Sequence, residues 1–77
     1  MAIQAYILVD ISAKRPSAVV SKLSKLEGVA SAQAVTGPHD AIVLVHAEDM
    51  TKLGHLVMEE IRGIEGVSRT LTCVVAD

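Results

Sequence analysis

Along this chain, hydrophobic residues alternate between the every-second-residue spacing of strands and the three-to-four-residue spacing of helices. The order of these segments predicts a strand–helix–strand unit that occurs twice. In residues 2–11 apolar side chains recur at every second position, which is typical of a strand. Residues 29–35, 41–47 and 67–76 are the other three predicted strands. Between the first two strands, and again between the last two, apolar residues recur at helical spacing. The predicted order of elements is therefore βαββαβ.

Both predicted helices are bounded by residue types that commonly begin and end helices. The first begins at Pro16, which fits the first helical position, and is stopped by Gly28. The second follows Asp49, a side chain that caps helices, and ends near Gly63. The apolar stripes predicted to face the core are Val19, Val20, Leu23 and Leu26 in the first helix and Leu53, Leu56, Val57 and Ile61 in the second.

The sequence also repeats itself. Residues 25–31 read KLEGVAS and residues 63–69 read GIEGVSR, so Glu27 and Glu65 are equivalent at an offset of 38 residues. A repeat of this length usually marks one supersecondary unit, which here is strand, helix, strand. We therefore expect residues 1–77 to form a single domain from two copies of that unit.

The connections restrict the topology. A strand–helix–strand unit places its two strands parallel, whereas Gly37 and Pro38 form a short turn that joins the second and third strands antiparallel. The predicted fold class is α+β: a ferredoxin-like βαββαβ sandwich with a four-stranded antiparallel sheet and two helices on one face.

The other face of that sheet is predicted to be apolar. Its side chains would include Tyr6, Leu8, Ile42 and Leu44. An exposed apolar patch on a small domain is typical of an interface. A chain of 77 residues also gains useful burial from association. We therefore expect a second subunit to cover this face and form a dimeric α/β sandwich.

Composition excludes several partners. The formal net charge is −2, with 21% charged residues, which gives no electrostatic footprint for nucleic acid or an anionic membrane. The single cysteine, Cys73, has no internal disulfide partner, which favours a reducing, cytoplasmic location. In the last strand we expect Cys73 to be a small buried apolar residue.

Metal and catalytic chemistry find little support in the residue pattern. The three histidines, His39, His46 and His55, have no histidine or cysteine at ligand spacing. No carboxylate pair, nucleophile–base set or phosphate-binding glycine loop occurs in a recognisable order. We therefore expect no metal, no cofactor and no enzymatic activity.

The turn Thr36-Gly37-Pro38-His39-Asp40 is a candidate site for a small zwitterion. Its glycine and proline make a tight loop that can expose main-chain N–H groups beside a carboxylate. An ammonium group pairs with a carboxylate, and a carboxylate accepts hydrogen bonds from N–H groups or hydroxyls.

The last predicted strand supplies candidate hydroxyls. Ser68, Thr70 and Thr72 occupy alternate positions, so we expect them to share one face. From chemistry alone, a plain β-turn and a polar strand face remain the alternative to a ligand site.

These segments resemble a known family. Residues 35–40 read VTGPHD, residues 60–67 read EIRGIEGV, and Thr70 and Thr72 follow in the last strand. Over essentially the whole chain, the pattern resembles the effector-binding (RAM) domain of the Lrp/AsnC regulators, the leucine-responsive and asparagine-type transcription factors. The resemblance implies a dimer packed through its sheets, further assembly into an octameric or decameric ring, and an amino-acid effector bound where subunits meet.

Four positions match the family's motif. Gly37 and Asp40 correspond to its turn glycine and aspartate, and Thr70 and Thr72 correspond to the hydroxyl positions of its last strand. By this resemblance Asp40 would take the ligand's ammonium group. His39 stands where the family often has an aromatic ring.

Full regulators of the family begin with a helix-turn-helix segment, whereas here the first sensor strand begins at the start of the sequence. We therefore expect a stand-alone amino-acid sensor that does not contact nucleic acid directly and modulates a full-length regulator through mixed assembly. Two alternatives stay open. One is a small dimeric ferredoxin-like enzyme that uses His46, and the other is a purely structural assembly domain.

Overall fold

The computed structural model describes residues 2–76, and every predicted element occurs in it. The strands are β1 (Ile3–Ile11), β2 (Val29–Ala34), β3 (Ala41–Ala47) and β4 (Val67–Val74). The helices are α1 (Pro16–Ser24) and α2 (Met50–His55), and a π-helical segment, Leu56–Ile61, continues α2. The predicted strands at residues 2–11, 29–35 and 67–76 were one or two residues too long. The predicted order βαββαβ is confirmed.

The four strands form one sheet in the order β2-β3-β1-β4. Strand β1 is antiparallel to both of its neighbours, β3 and β4, and β2 is antiparallel to β3. The two strands of each strand–helix–strand unit are therefore parallel but not adjacent. This is the ferredoxin-like topology, so the predicted fold class is confirmed.

The core lies between one face of the sheet and the two helices. Alternate residues of the central strands are buried there: Ala5, Ile7 and Val9 in β1, and Ala41, Val43, Val45 and Ala47 in β3. The helical side contributes Val19, Leu23, Leu53, Leu56, Val57 and Ile61, and Val20 and Leu26 are partly buried beside them. Both predicted apolar stripes therefore face the core, and both helices lie on one side of the sheet.

The sequence repeat is also a repeat of the backbone. In the first copy Leu26 N–H donates to Leu23 O and Val29 N–H donates to Leu26 O, at 3.2 and 3.1 Å. In the second copy Ile64 N–H donates to Ile61 O and residue 67 donates to Ile64 O, at the same two distances. The glycine between these bonds has a positive φ in each copy, +95° at position 28 and +103° at position 66. Only glycine adopts such a φ readily, which explains why the Glu-Gly pair occurs in both halves.

The second helix ends close to Gly63, as predicted, but it is not α-helical over its whole length. Over Leu56–Ile61 it widens to a π-helix, and Arg62 N–H donates to Val57 O at 3.0 Å. Residues five apart come together in a π-helical turn. Leu56 and Ile61 are therefore both buried in the same core.

The sheet face away from the helices is uncovered within residues 2–76. Tyr6 lies beside Leu44 of β3, and Leu8 lies beside both Ile42 of β3 and Leu71 of β4. Tyr6 is 46% exposed and Leu71 is 52% exposed. We call these five side chains the open sheet face. The four residues predicted for it do lie there, and Leu71 extends the patch onto β4.

Candidate functional site

The turn at residues 36–40 is fastened to the end of β1 by Asp40. The carboxylate Oδ2 of Asp40 accepts a hydrogen bond from Ile11 N–H at 2.8 Å, and Asp40 N–H donates to Val9 O at 2.9 Å. The base of the turn is closed by Val35 N–H, which donates to Asp40 O at 2.9 Å. Gly37 has φ +150°, and a Cβ added at this position would meet no atom within 4 Å. The positive φ of this glycine allows the chain to reverse direction, as predicted. Asp40 therefore fixes the turn against β1 with one carboxylate oxygen.

A second side chain of the turn reaches the same strand. His39 Nδ1–H donates to Asp10 Oδ1 at 2.8 Å, and both side chains are a little over one-quarter exposed. With Nδ1 as donor, the neutral ring has Nε2 as an acceptor. Two carboxylates therefore hold the turn to β1. Asp40 of the turn binds Ile11 N–H, and Asp10 of β1 binds His39.

Where the turn meets β1 and β4, the surface forms a shallow depression of about 110 Å³. We call it the β1–β4 depression. It is lined by Leu8, Asp10, His39, Arg69, Thr70 and Leu71. Two of these residues, Leu8 and Leu71, belong to the open sheet face, so the depression continues that face.

The depression combines opposite charges with apolar contact area. Asp10 and Arg69 are direct cross-strand neighbours, and Leu8 and Leu71 are a further cross-strand pair along the same two strands. A guanidinium binds a carboxylate through paired N–H donors, and a carboxylate binds an ammonium. The arrangement therefore offers complementary charges to both ends of a zwitterion, beside apolar side chains.

Of the residues predicted for the ligand site, His39 and Thr70 line the depression. Thr70 is the cross-strand neighbour of the buried Val9, so its hydroxyl lies on the helical side of the sheet and not beside Asp10 and Arg69. Thr36, Gly37 and Pro38 belong to the turn and do not line it. Asp40 does not line the depression, and its carboxylate supports the turn through Ile11 N–H. Thr72 pairs with Ile7, two residues along β4 from Thr70, and lies outside the depression.

The expectation that Ser68, Thr70 and Thr72 share one face is wrong for Ser68. The pairing of β1 with β4 shifts between Asp10 and Ile11, which leaves Ser68 as the extra residue of a β-bulge. Its hydroxyl donates to the Asp10 carbonyl oxygen at 3.0 Å. This hydroxyl therefore satisfies the bulged backbone.

Sequence reasoning missed Asp10 and Arg69, the two opposite charges of the depression. A signal for them exists, because Asp10 is the one charged residue of β1 and Arg69 is the one charged residue of β4. A lone charge in an otherwise apolar or neutral strand is stabilised by an opposite charge on the neighbouring strand. The bulge at Ser68 sets the cross-strand register that makes these two residues neighbours. No pattern in the sequence predicts this bulge.

Two further expectations can be compared with the structure. Cys73 is exposed, not buried as expected, because it lies beside Tyr6 on the edge strand, on the side of the sheet that the helices do not cover. His46 is exposed at the end of β3, and no polar or charged side chain is buried among residues 2–76. His46 lines a groove of about 460 Å³ beside α2, together with His55 and the glutamates at positions 27, 48 and 60.

The described part of the chain contains neither a cluster of metal-ligating side chains nor a helix long and apolar enough to span a membrane. No three histidine, cysteine, aspartate or glutamate side chains of residues 2–76 are grouped so that they could hold a metal ion. Neither helix in these residues has the length and apolar character needed to cross a bilayer.

Comparison with known proteins gives one sequence family and two kinds of relative. Residues 4–77 match the profile of the Lrp/AsnC ligand binding domain. A homocitrate synthase from Sulfurisphaera tokodaii is 39% identical over 59 residues, which are 77% of this chain and 13% of the enzyme. The chain therefore spans about an eighth of the length of that relative.

Two solved structures share the whole fold. The protein TTHA0845 from Thermus thermophilus is 33% identical with a TM-score of 0.91, and the match covers 97% of this chain and 94% of that one. The transcriptional regulator NMB0573 from Neisseria meningitidis, solved as an L-Met complex, is 25% identical with a TM-score of 0.86. That match covers 97% of this chain and 50% of the regulator.

Proposed function

The chain belongs to the family of Lrp/AsnC ligand binding domains, and from this premise we propose that it is a regulatory module that senses an amino acid. The observation that carries the proposal is the pairing of Asp10 with Arg69 in the β1–β4 depression. In this proposal the ligand's carboxylate binds the Arg69 guanidinium and its ammonium binds the Asp10 carboxylate. Leu8 and Leu71 contact its side chain.

His39 and Asp40 have supporting roles in this site. His39 holds Asp10 through Nδ1 and presents Nε2 towards the ligand. The family resemblance assigns the ammonium to Asp40; in this proposal Asp10 binds it instead, and Asp40 keeps the turn in place through Ile11 N–H. Thr36, Gly37 and Pro38 shape the turn, and Thr70 completes the wall of the depression.

The size of the depression argues that a second subunit completes the site. Its volume of about 110 Å³ is well below the roughly 300 Å³ at which small-molecule pockets begin. The depression opens onto the open sheet face, whose apolar residues favour burial against another subunit. We propose that Tyr6, Leu8, Ile42 and Leu44 pack against a second copy, and that this packing encloses the ligand.

The relatives support sensing over catalysis. Similar domains occur in a transcriptional regulator solved with L-Met and within a homocitrate synthase chain. A module shared by a regulator and an enzyme contributes something common to both, and ligand sensing meets that condition. Partners of this chain would then be further copies, or a full-length regulator that assembles with it.

A thermal-shift screen of the amino acids, beginning with L-methionine, tests this function. Saturation at 100 times the dissociation constant adds about 2.7 kcal/mol of stability. For a domain of this size that raises the melting temperature by about 10 °C or more. Arg69→Gln and Asp10→Asn are each expected to abolish the shift, because each removes one of the two charges that bind the zwitterion.

Arg62→Gln is the matched control for Arg69→Gln. Arg62 is exposed and lies outside the depression, so this variant is expected to keep the full shift. The proposal fails if no amino acid at about 10 mM raises the melting temperature, because a ligand with a dissociation constant below that concentration would stabilise the folded protein. It also fails if Arg69→Gln responds like Arg62→Gln.

A further inference from the structure

The chain has three histidines, and within residues 2–76 only His39 contacts a carboxylate. Its Nδ1 lies 2.8 Å from Asp10 Oδ1, where the turn meets β1. A carboxylate only accepts hydrogen bonds, so Nδ1 carries the proton of the neutral ring. His46 and His55 are exposed and line no part of the β1–β4 depression. His39 is therefore the histidine that joins the candidate site.

The carboxylate of Asp10 is oriented by His39. Within the described residues His39 is its one side-chain partner, and both side chains are partly buried. The hydroxyl of Ser68 binds the main-chain oxygen of Asp10 and not its carboxylate. The second carboxylate oxygen, Oδ2, has no donor among residues 2–76 and is the atom available to a ligand.

Arg69 does not occupy that oxygen. Asp10 and Arg69 are cross-strand neighbours, but no ion pair joins their side chains in the described part of the chain, and Arg69 is exposed. With His39 neutral, the charges of Asp10 and Arg69 cancel, as do the two charges of a zwitterionic amino acid. The neutral site therefore matches its proposed ligand in charge.

Protonation of His39 would remove this match. Imidazole is the side chain that ordinarily exchanges a proton between about pH 5 and 8. The protonated ring has two N–H donors and no acceptor, so Nε2 can no longer accept a hydrogen bond from an ammonium group. An added positive charge then stands beside the position of the ligand's ammonium, and the Asp10 carboxylate pairs with the imidazolium.

The charged groups around His39 come from each element that the turn meets. Asp10 lies on β1 and Arg69 on β4, and both line the depression with His39. Asp40, the next residue of the turn, has its carboxylate on Ile11 N–H and does not line the depression. Of the residues that line the depression, His39 is thus the one whose side-chain type changes charge between about pH 5 and 8.

We propose that His39 makes amino-acid binding depend on pH. The neutral ring positions Asp10 for the ligand's ammonium, and protonation at Nε2 turns the same contact into an ion pair that competes with the ligand. Affinity is full above the range in which His39 titrates and falls as the pH decreases through that range. Coupling between two binding events is reciprocal, so ligand binding releases a proton from His39. This inference rests on the proposed function, because it concerns the same site.

Isothermal titration calorimetry tests the proposal with the amino acid that gives the largest thermal shift in the screen above. The dissociation constant of the wild type is expected to be about tenfold higher at pH 5.5 than at pH 7.5, a usual size for coupling between sites. Near the middle of that range, titrations in two buffers of different ionisation enthalpy are expected to show proton release on binding. A purely structural role of His39 would give no such release.

Two substitutions separate positioning from protonation. His39→Asn places an amide N–H near the position of Nδ1–H but cannot be protonated. It is expected to bind several-fold more weakly than the wild type at pH 7.5, since it lacks Nε2, and equally well at pH 5.5, where it then binds more tightly than the wild type. His39→Ala removes the donor to Asp10 and is expected to bind weakly at both pH values. A structural role predicts instead that both variants bind more weakly than the wild type throughout.

His55→Asn is the matched control. His55 is exposed on α2 and does not line the depression, so this variant is expected to keep the wild-type dissociation constants at both pH values. Thermal unfolding without ligand at each pH verifies that every variant is folded.

The outcomes distinguish this inference from the function on which it rests. Binding by the wild type that changes less than about twofold between the two pH values overturns the inference and leaves amino-acid sensing intact. The inference is also overturned if no proton is released, or if His39→Asn keeps the pH dependence of the wild type. If no amino acid binds at either pH, the proposed function fails and this inference fails with it.

Discussion

The turn after the first helix and the turn after the second are closed by equivalent hydrogen bonds, and each passes through a glycine with φ near +100°. Leu23 and Ile61, at equivalent positions before these turns, are both fully buried. The surfaces around the same turns are different. The second half has Glu60 where the first half has Lys22, and β4 has Thr70 and Thr72 where β2 has two alanines.

This difference separates what the fold requires from what the surface is free to change. A buried side chain and a positive φ are set by packing and backbone sterics, so both halves keep them. An exposed charge contributes little to folding, so the halves diverge there. The candidate contacts for a ligand and for other subunits accordingly lie where the repeat is broken.

The largest expected effect tests whether both halves share one core. Leu23→Ala and Ile61→Ala each remove a fully buried side chain, and each is expected to lower the free energy of unfolding by about 2–5 kcal/mol. Because the positions are equivalent, the two losses should agree within about 1 kcal/mol, a margin smaller than the usual spread of such losses. Urea unfolding at one fixed protein concentration measures both.

Met58→Ala is the control for these core variants. Met58 is 58% exposed, so its truncation is expected to change stability by no more than about 0.5 kcal/mol. A loss confined to one of the two core variants would mean that the halves do not contribute equally to the core.

The next effect compares the two turn glycines. Alanine at either position is strained by the positive φ, at a cost of about 1–3 kcal/mol. At Gly66 the added Cβ would also lie 2.7 Å from Cγ2 of Val19, a stiff β-branched side chain. At Gly28 the nearest atom is the end of the flexible Leu56 side chain, at 3.2 Å. Gly66→Ala is therefore expected to destabilise the protein by about 1 kcal/mol more than Gly28→Ala, by the cost of overpacking.

Gly54→Ala is the opposite control in the same measurement. Gly54 lies within α2 with open space at its Cβ position, so alanine is expected to stabilise the protein by about 0.4–1 kcal/mol. Equal losses at Gly66 and Gly28 would show that backbone strain outweighs the contact with Val19.

The comparison also explains which features could be predicted from the sequence. The alternation in β1 and β3 and the stripes on the helices follow from burial, which acts residue by residue along the chain. The turn glycines could be predicted for the same reason, because φ is a local property. The relative directions of the strands followed from the repeat and from the short turn at Gly37.

Features that depend on contacts between distant segments could not be predicted in this way. The bulge at Ser68 sets which residues of β1 and β4 are neighbours, and so decides that Asp10 meets Arg69. The exposure of Cys73 depends on which side of the sheet the helices leave open at its edge.

The smallest effect concerns how the two helices begin. Asp49 Oδ1 accepts a hydrogen bond from Lys52 N–H at 2.8 Å and caps α2, whereas Arg15 at the start of α1 makes no side-chain cap. Pro16 makes this cap less necessary, because it has no N–H to satisfy and its fixed φ suits the first helical position. Asp49→Ala is expected to cost about 1 kcal/mol. Arg15→Ala is expected to change stability by no more than about 0.5 kcal/mol.

Asp49→Asn separates the cap from the charge. Asparagine caps about as well as aspartate but carries no charge, so Asp49→Asn should retain most of the stability that Asp49→Ala loses. If both substitutions cost the same in urea unfolding, the favourable term is the charge of Asp49 near the helix N-terminus and not its hydrogen bond to Lys52 N–H. The start of α2 would then be stabilised by the charge of Asp49, and the start of α1 by Pro16. The two halves would thus stabilise equivalent helix starts in different ways.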